Sequence, residues 1–236
     1  MRNKSYKSMM VISMIIIPIL LSCASTQQKQ SEPRDAQFYF NRGTAYVAKG
    51  EYDRAISEFN KALEINPRYT EAYNLRGGVY SRKGQNDEAI SDYSKAIEID
   101  PRDVRAYNYR AWEYTLKGEY DQAISDLKKA LEINPRYADT YNNLAWVLAT
   151  AKVSAFHDGK KALELALKAC ELSDWKNPGY LDTLAAAYAR AGDFENAVKW
   201  QERVIESPEV AKQADLQAEL QERLKFYKEH KPWPPN

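Results

Sequence analysis

The chain of 236 residues has little of several residue types that mark particular protein classes. Its 2 cysteines cannot build a disulfide framework, and its 2 histidines leave little material for a metal site. Lys and Arg number 34 against 33 Asp and Glu, so the basic excess typical of nucleic-acid-binding proteins is missing. With 9 glycines and 10 prolines against 17 tyrosines, the composition indicates a packed chain rather than a disordered one.

The apolar stretch near the N-terminus is too short to cross a membrane. It covers residues 9–21 and is interrupted by Ser13 and Pro18, whereas a spanning helix needs roughly 20 apolar residues. Basic residues precede it, namely Arg2, Lys4 and Lys7. A basic start followed by a short apolar stretch and small residues is typical of a secretory signal. Residues 1–22 are therefore predicted to be a signal peptide.

The end of this stretch is more specific. Residues 20–23, of sequence LLSC, resemble the bacterial lipobox, which implies that Cys23 carries lipid and begins the mature chain. An uncleaved membrane anchor and an ordinary signal with an incidental cysteine are the alternatives. In lipoproteins an aspartate after the cysteine favours the inner membrane, so Ala24 implies the outer membrane. The polar residues 23–35 predict a flexible tether.

Removal of the signal changes the charge and the thiol count. Residues 1–22 hold three basic and no acidic residues, so the mature chain has a net charge of −2. With Cys23 bound to lipid, Cys170 is the one free thiol. An exported thiol can pair between chains, but a small buried hydrophobe on a helix is the interpretation that the sequence favours.

A period of 34 residues organises the rest of the chain. Prolines, glycines, tyrosines and alanines recur at this spacing, as Pro67, Pro101 and Pro135; Gly50, Gly84 and Gly118; Tyr46, Tyr80 and Tyr114; Ala55, Ala89 and Ala123; Ala62, Ala96 and Ala130. This length and pattern resemble the tetratricopeptide repeat, over residues 36 to about 207. The resemblance implies an all-α solenoid of about five helix-turn-helix repeats.

Local chemistry explains the pattern. A glycine between the two helices of a repeat permits a left-handed C-cap, and small alanines let helices approach closely. Proline ends the second helix because it cannot continue one. Repeat four is predicted to carry about five extra residues around 152–157. Residues 208–236 predict a capping helix, over about 211–227, and a proline-rich tail.

Two repeat positions predict a buried ion pair. The seventh residue is arginine in three repeats and then leucine, while the twenty-third is acidic in three and then Leu165 and Trp200. A buried charge needs a partner, so the arginine and the acid are predicted to touch. Coincidence among five copies is the alternative. The predicted pairs are Arg42 with Glu58, Arg76 with Asp92, and Arg110 with Asp126.

The resemblance also implies a binding surface, because in the family the first helices line a concave groove that holds partner peptides. The corresponding residues here are Asn74, Asn108, Asn142, Trp112, Trp146, Arg105 and Arg82. The asparagines are predicted to form a ladder of amides along an extended peptide, and the tryptophans to anchor apolar segments. The alternatives are amides that cap neighbouring helices, Trp112 filling the space beside Gly78, and Trp146 lying beneath the insertion.

Signs of enzymatic activity are weak. Ser154, His157 and Asp158 lie within five residues, but triads are assembled by the fold rather than by adjacency. No enzyme, cofactor or metal site is predicted. We expect a lipid-anchored scaffold of the bacterial envelope that binds proteins or extended peptides and no nucleic acid. The alternative is a pilotin-like homo-oligomer whose groove binds its own tail at Trp233.

Overall fold

The computed structural model describes residues 35–234, which form α-helices and connecting turns without a strand. Its described helices, α1 to α11 in chain order, are Ala36–Ala48, Tyr52–Ile65, Thr70–Arg82, Asn86–Ile99, Val104–Lys117, Tyr120–Ile133, Ala138–Thr150, Gly159–Leu172, Pro178–Arg190, Phe194–Ile205 and Ala214–Lys228. The predicted signal peptide, the lipid site at Cys23 and all of the tether except Asp35 lie outside the described residues.

The first ten helices form five helix-turn-helix pairs that stack in chain order, and α11 packs against α10 at the end of the stack. This is the predicted solenoid of five repeats with a C-terminal capping helix. A single pair cannot bury its apolar face alone, so each repeat is stabilised by its neighbours.

Left-handed glycines turn the chain between the two helices of a repeat. Gly50, Gly84 and Gly118 have φ values of 73°, 71° and 77°. Beside Gly84, the N–H of Gln85 donates to the carbonyl of Tyr80 at 2.9 Å, which closes a Schellman turn. A Cβ added to any of these glycines would meet no atom within 4 Å, so the backbone conformation alone requires glycine.

The repeats are joined at the prolines. Helices α2, α4 and α6 end at Ile65, Ile99 and Ile133, two residues before a proline. The residue between takes an extended conformation, with φ −127° and ψ 90° at Asn66. A proline disfavours the α region in its predecessor, so the helix ends at the predicted place.

Glycine and alanine bring the two helices of a repeat together. Gly43 of α1 faces Phe59 of α2 so closely that an added Cβ would lie 2.6 Å from the ring. Gly77 and Tyr93 repeat this contact one unit later. The alanines that keep the 34-residue period, Ala55, Ala89, Ala123, Ala62, Ala96 and Ala130, are all fully buried.

The largest apolar cluster joins repeats three to five and the capping helix, from Ala111 to Leu224. Cys170 lies within it, fully buried, and burial raises the pKa of its thiol to about 12. The thiol is thus a small buried hydrophobe, as the sequence favoured.

The insertion of repeat four packs back onto repeat three. It contains a 3-10 turn over Ser154–Phe156. Phe156 lies 5.2 Å from the ring of Tyr120, whose hydroxyl accepts the N–H of Lys152 at 2.9 Å. Helix α8 follows at Gly159, where a Cβ would lie 2.6 Å from the carbonyl oxygen of Arg190, so a larger residue would not fit.

The C-terminal segment closes the stack. Helix α11 begins at Ala214, three residues later than predicted, and buries Leu220 and Leu224. The tail then folds back onto its own chain: the ring of Trp233 lies 5.2 Å from that of Phe226, and the Trp233 carbonyl accepts from Arg190 at 3.4 Å. Trp233 therefore packs beside the capping helix.

Candidate functional site

The arginines and acids predicted to touch lie in direct contact. Arg76 donates through Nε and Nη2 to both carboxylate oxygens of Asp92, at 2.8 and 2.7 Å. Its Nη1 donates to Asn60 on the second helix of the preceding repeat. Arg76 thus joins two repeats as well as the two helices of its own. The same arrangement recurs one repeat later in Arg110, Asp126 and Ser94.

The first of the three pairs is looser. Arg42 makes one contact with Glu58, at 3.3 Å, and Lys61 binds the same oxygen at 3.0 Å. The Arg42 side chain is 38% exposed, against 18% for Arg76. Arg76 and Arg110 also bind a side chain of the preceding repeat. No described helix precedes α1, so Arg42 has no such acceptor among the described residues.

Repeats four and five replace the ion pair with apolar contacts. Leu144, Leu165 and Leu184 are buried, and Trp200 is half-buried beside them, all in the large apolar cluster. Arginine and acid are therefore lost together, and the position remains a contact between the two helices of the repeat.

The predicted asparagine ladder lies between repeats. Asn74 is 7% exposed, and its Nδ2 donates to Asp103 at 2.6 Å, the residue that caps α5. Asn108 is 2% exposed, and its Nδ2 donates to Thr140 at 2.8 Å. These donors hold neighbouring first helices together, which corrects the expectation of a row of free amides and matches the structural alternative.

Asn142 is half-buried and contacts its neighbour Asn143 at 3.4 Å. Its Oδ1 has no hydrogen-bond partner among the described residues. The Nδ2 of Asn143 in turn donates to the side-chain Oδ1 of Asn108 at 3.3 Å. A short amide chain therefore links repeats three and four.

The two tryptophans differ in accessibility. Trp112 is 38% exposed on α5. A Cβ built on Gly78 would meet only the Tyr93 hydroxyl, at 3.7 Å, within 4 Å. The alternative in which Trp112 fills the space beside Gly78 is therefore wrong, because that space stays open.

Trp146 is covered by the capping helix. The guanidinium of Arg223 on α11 lies 5.0 Å from the centre of the Trp146 ring. Arg223 also binds Asp182 on α9 and Glu219 on its own helix. The capping helix, rather than the insertion, supplies this contact, so the groove is occupied at its C-terminal end.

The two predicted basic residues are accessible. Arg82 is exposed at the end of α3 and forms no ion pair among the described residues. The Arg105 side chain is 56% exposed, and its Nε lies 3.6 Å from Asp103. Both charges are available at the N-terminal part of the groove.

An exposed apolar stripe crosses these repeats. The stripe consists of Leu75, Tyr109, Trp112 and Leu116, which are 38–54% exposed. The last three follow each other at helical spacing on α5 and share one face. The stripe holds four of the seven large hydrophobic residues that are exposed in the described chain. Exposed apolar patches of this kind mark interaction sites.

A cavity of about 230 Å³ adjoins the stripe. It opens between the first helices of repeats one to three, with α4 behind it. Its lining is mostly apolar and aromatic: Val47, Asn74, Leu75, Gly78, Val79, Arg82, Tyr93 and Tyr109. Sequence reasoning found Arg82 and Asn74 but missed Leu75 and Tyr109, which share the sixth position of repeats two and three.

A larger cleft, of about 530 Å³, surrounds the ion pair of repeat two, beside Arg76 and Asp92. The acid and the arginine already bind each other through both carboxylate oxygens. Since its central charges are satisfied within the chain, this cleft is less suited to a ligand than the cavity at Gly78.

Two of the three residues that suggested enzymatic chemistry make contacts within the chain. His157 contacts Arg190 through Nδ1 at 3.2 Å and the Ala151 carbonyl through Nε2 at 2.6 Å. Asp158 instead caps α8 by accepting the N–H of Lys161 at 2.9 Å. In the described part of the chain, no group of three His, Cys, Asp or Glu residues could hold a metal ion. No described helix is long and apolar enough to span a bilayer.

Family models of the tetratricopeptide repeat match more than half of the chain. One described as "TPR repeat" and three described as "Tetratricopeptide repeat" match residues 43–84, 70–103 with 104–137, 127–163 and 179–207. No curated protein sequence is significantly similar to the chain.

Solved structures of the same architecture resemble the chain. A thermophilic TPR protein of Thermus thermophilus is 25% identical, with a TM-score of 0.65, over 79% of this chain and 97% of that one. A structure of MamA is 27% identical, with a TM-score of 0.56, over 70% and 92%. YrrB, titled a TPR protein with an unusual peptide-binding site, is 21% identical, with a TM-score of 0.54, over 80% and 92%.

Proposed function

Because the chain belongs to the tetratricopeptide repeat family, we propose that it is a protein-binding scaffold whose first three repeats hold a segment of a partner protein in their concave groove. The observation that carries this proposal is the stripe of exposed apolar residues beside an apolar cavity. Large accessible aromatic side chains are common energetic centres of protein interfaces. The charged side chains Arg82 and Arg105 near the stripe would add selectivity.

The C-terminal part of the groove has a different role in this proposal. Arg223 covers Trp146 there, so this end stabilises the stack. We therefore place the partner segment against α1, α3 and α5. YrrB, which shares the fold, is described as a TPR protein with an unusual peptide-binding site, and this supports the proposal.

A groove variant tests the proposal. Partners purified under native conditions with the wild-type chain should be lost with Tyr109→Ser combined with Trp112→Ser. Ile65→Ser is the matched control, since Ile65 is 51% exposed but lies at the end of α2. Loss of the same partners in both variants, or retention in both, would contradict binding at the stripe.

We further propose that Cys23 carries lipid and anchors the scaffold at the bacterial envelope, at the outer membrane where one exists. The lipobox resemblance of residues 20–23 supports this, and several acyl chains on one residue give stable attachment. Radioactive palmitate should label the wild-type chain and not Cys23→Ser. Label that persists in the variant would exclude this anchor.

A further inference from the structure

The cavity beside Gly78 restricts which segments the groove would accept. Resting on the groove-binding function proposed above, we propose that this cavity receives one apolar side chain of the bound segment, and that Arg82 pairs with an aspartate or glutamate next to it. The partner is therefore an extended segment with an apolar residue followed or preceded by an acid.

The size of the cavity fits a whole side chain. Its volume is about 230 Å³, and a dry cavity of about 150 Å³ already admits benzene. The opening exists because position nine of repeat two is Gly78, whereas Trp112 stands at that position in repeat three. A Cβ at Gly78 would have only the Tyr93 hydroxyl within 4 Å.

The walls of the cavity define an apolar occupant. Val79 and Tyr93 are buried and form its floor, while Leu75 and Tyr109 are partly exposed at its mouth. An apolar side chain placed here would cover surface that is now accessible to water, and such burial is favourable roughly in proportion to the area removed.

Asn74 contributes a polar wall to the cavity. It is 7% exposed, and its Nδ2 is bound to Asp103. Its Oδ1 has no hydrogen-bond partner among the described residues, but it lies below the accessible surface, so the bound segment would not reach it. Polar recognition at the cavity therefore rests on Arg82.

The charge of Arg82 determines which residue lies next to the apolar side chain in the bound segment. Arg82 is the single charged side chain that lines the cavity, and it forms no ion pair with another described residue. An arginine fork binds carboxylate oxygens through two parallel hydrogen bonds. The acid is placed within the segment rather than at its end, because the stripe continues past the cavity to Trp112 and Leu116.

Selection of peptides would identify this preference directly. The full-length chain is used to select binders from a random decapeptide phage library, and the selected peptides are then synthesised with amidated C-termini. We expect enrichment of an apolar residue beside Asp or Glu. Replacing that acid by its amide, or changing Arg82→Gln, should weaken binding about tenfold, and Arg82→Lys should restore part of it.

Gly78→Leu tests the cavity itself. It fills the space without displacing backbone, and leucine favours helix more than glycine does, so the variant should fold and lose at least about tenfold in affinity. Thermal unfolding checks that its fold is intact. A folded Gly78→Leu chain that binds the selected peptides as well as wild type would overturn the cavity assignment.

The same selection separates this inference from the function on which it rests. If the selected peptides bind Gly78→Leu normally but not Trp112→Ser, the cavity assignment is overturned while the groove function stands. If no acid is enriched among them, the pairing with Arg82 is overturned, and the groove function again stands. Failure to select any binder would overturn both.

Discussion

The first three repeats and the last two use different chemistry at the same internal positions. In repeats two and three, Arg76 and Arg110 bind an acid on the second helix and a polar side chain of the repeat before. In repeats four and five, leucines and a tryptophan occupy these positions within one apolar cluster. A directional ion pair and a non-directional apolar contact therefore support the same helix spacing.

The two regions also differ at the groove. Tyr109 and Trp112 are accessible in the N-terminal part, whereas Arg223 of the capping helix lies over Trp146 at the other end. Stability and binding are thus separated along the stack. The apolar C-terminal repeats and their cap supply the larger core, and the N-terminal repeats leave apolar surface for a partner.

The largest expected effect comes from replacing the ion pair of repeat three with the apolar residues that repeat four has at the same positions. Arg110→Leu leaves Asp126 buried without its partner and should lower the free energy of unfolding by about 3 kcal/mol. Adding Asp126→Leu recreates the pair of repeat four and should recover most of that loss. Urea unfolding followed by circular dichroism measures both.

The matched control for this exchange is Arg42→Leu. Its single contact with Glu58 and its partial exposure predict a loss below about 1 kcal/mol. If the double variant is as unstable as Arg110→Leu alone, the ion pair and the apolar contact are not interchangeable, and the comparison between the two regions fails.

Two glycines within helices differ in the space beside them, since Gly43 is closely packed and Gly78 is not. Gly43→Ala would place a Cβ 2.6 Å from Phe59, and overpacking of this kind should destabilise the chain by about 2 kcal/mol. Gly78→Ala meets open space and should stabilise it by about 0.5–1 kcal/mol through reduced chain entropy. Thermal unfolding of both variants would reveal equal shifts if the space at Gly78 were filled.

A buried acid gives a small effect that depends on pH. Burial raises the pKa of Glu113 above its ordinary 4.5 despite a hydrogen bond from Ser81. The folded chain therefore keeps a proton that the unfolded chain has lost, and stability falls as pH rises above 4.5 through the raised pKa.

In Glu113→Gln the carboxyl group is replaced by an amide, which does not ionise. At neutral pH the variant should be more stable than wild type by about 1 kcal/mol, and the difference should vanish below the ordinary pKa of the acid. Urea titrations at pH 4 and pH 7 measure this. A stability difference that is equal at the two pH values would show that ionisation is not its cause.

Much of the fold could be predicted from the period of 34 residues. The glycine turns, the helix ends before proline, and the joint loss of arginine and acid in the later repeats follow from local chemistry. Partners across repeats were harder to predict. The bond from Asn74 to Asp103 depends on how far successive first helices are offset, which one sequence does not reveal.

The groove shows the same limit. The partial burial of Trp146 depends on where the capping helix lies, and no repeat pattern specifies the position of Arg223. The cavity is a gap defined by side chains from four helices. Its one sequence signal is the glycine at a position that is tryptophan in the next two repeats.

Photo-cross-linking tests the central claim most directly. A photoreactive benzoylphenylalanine is placed at Trp112 in the groove or, as the matched control, at Ile65 outside it, and the full-length chain is irradiated in the cell. We predict that a partner is captured from position 112 and not from position 65. Capture from position 65 alone would contradict binding in the groove of the first three repeats.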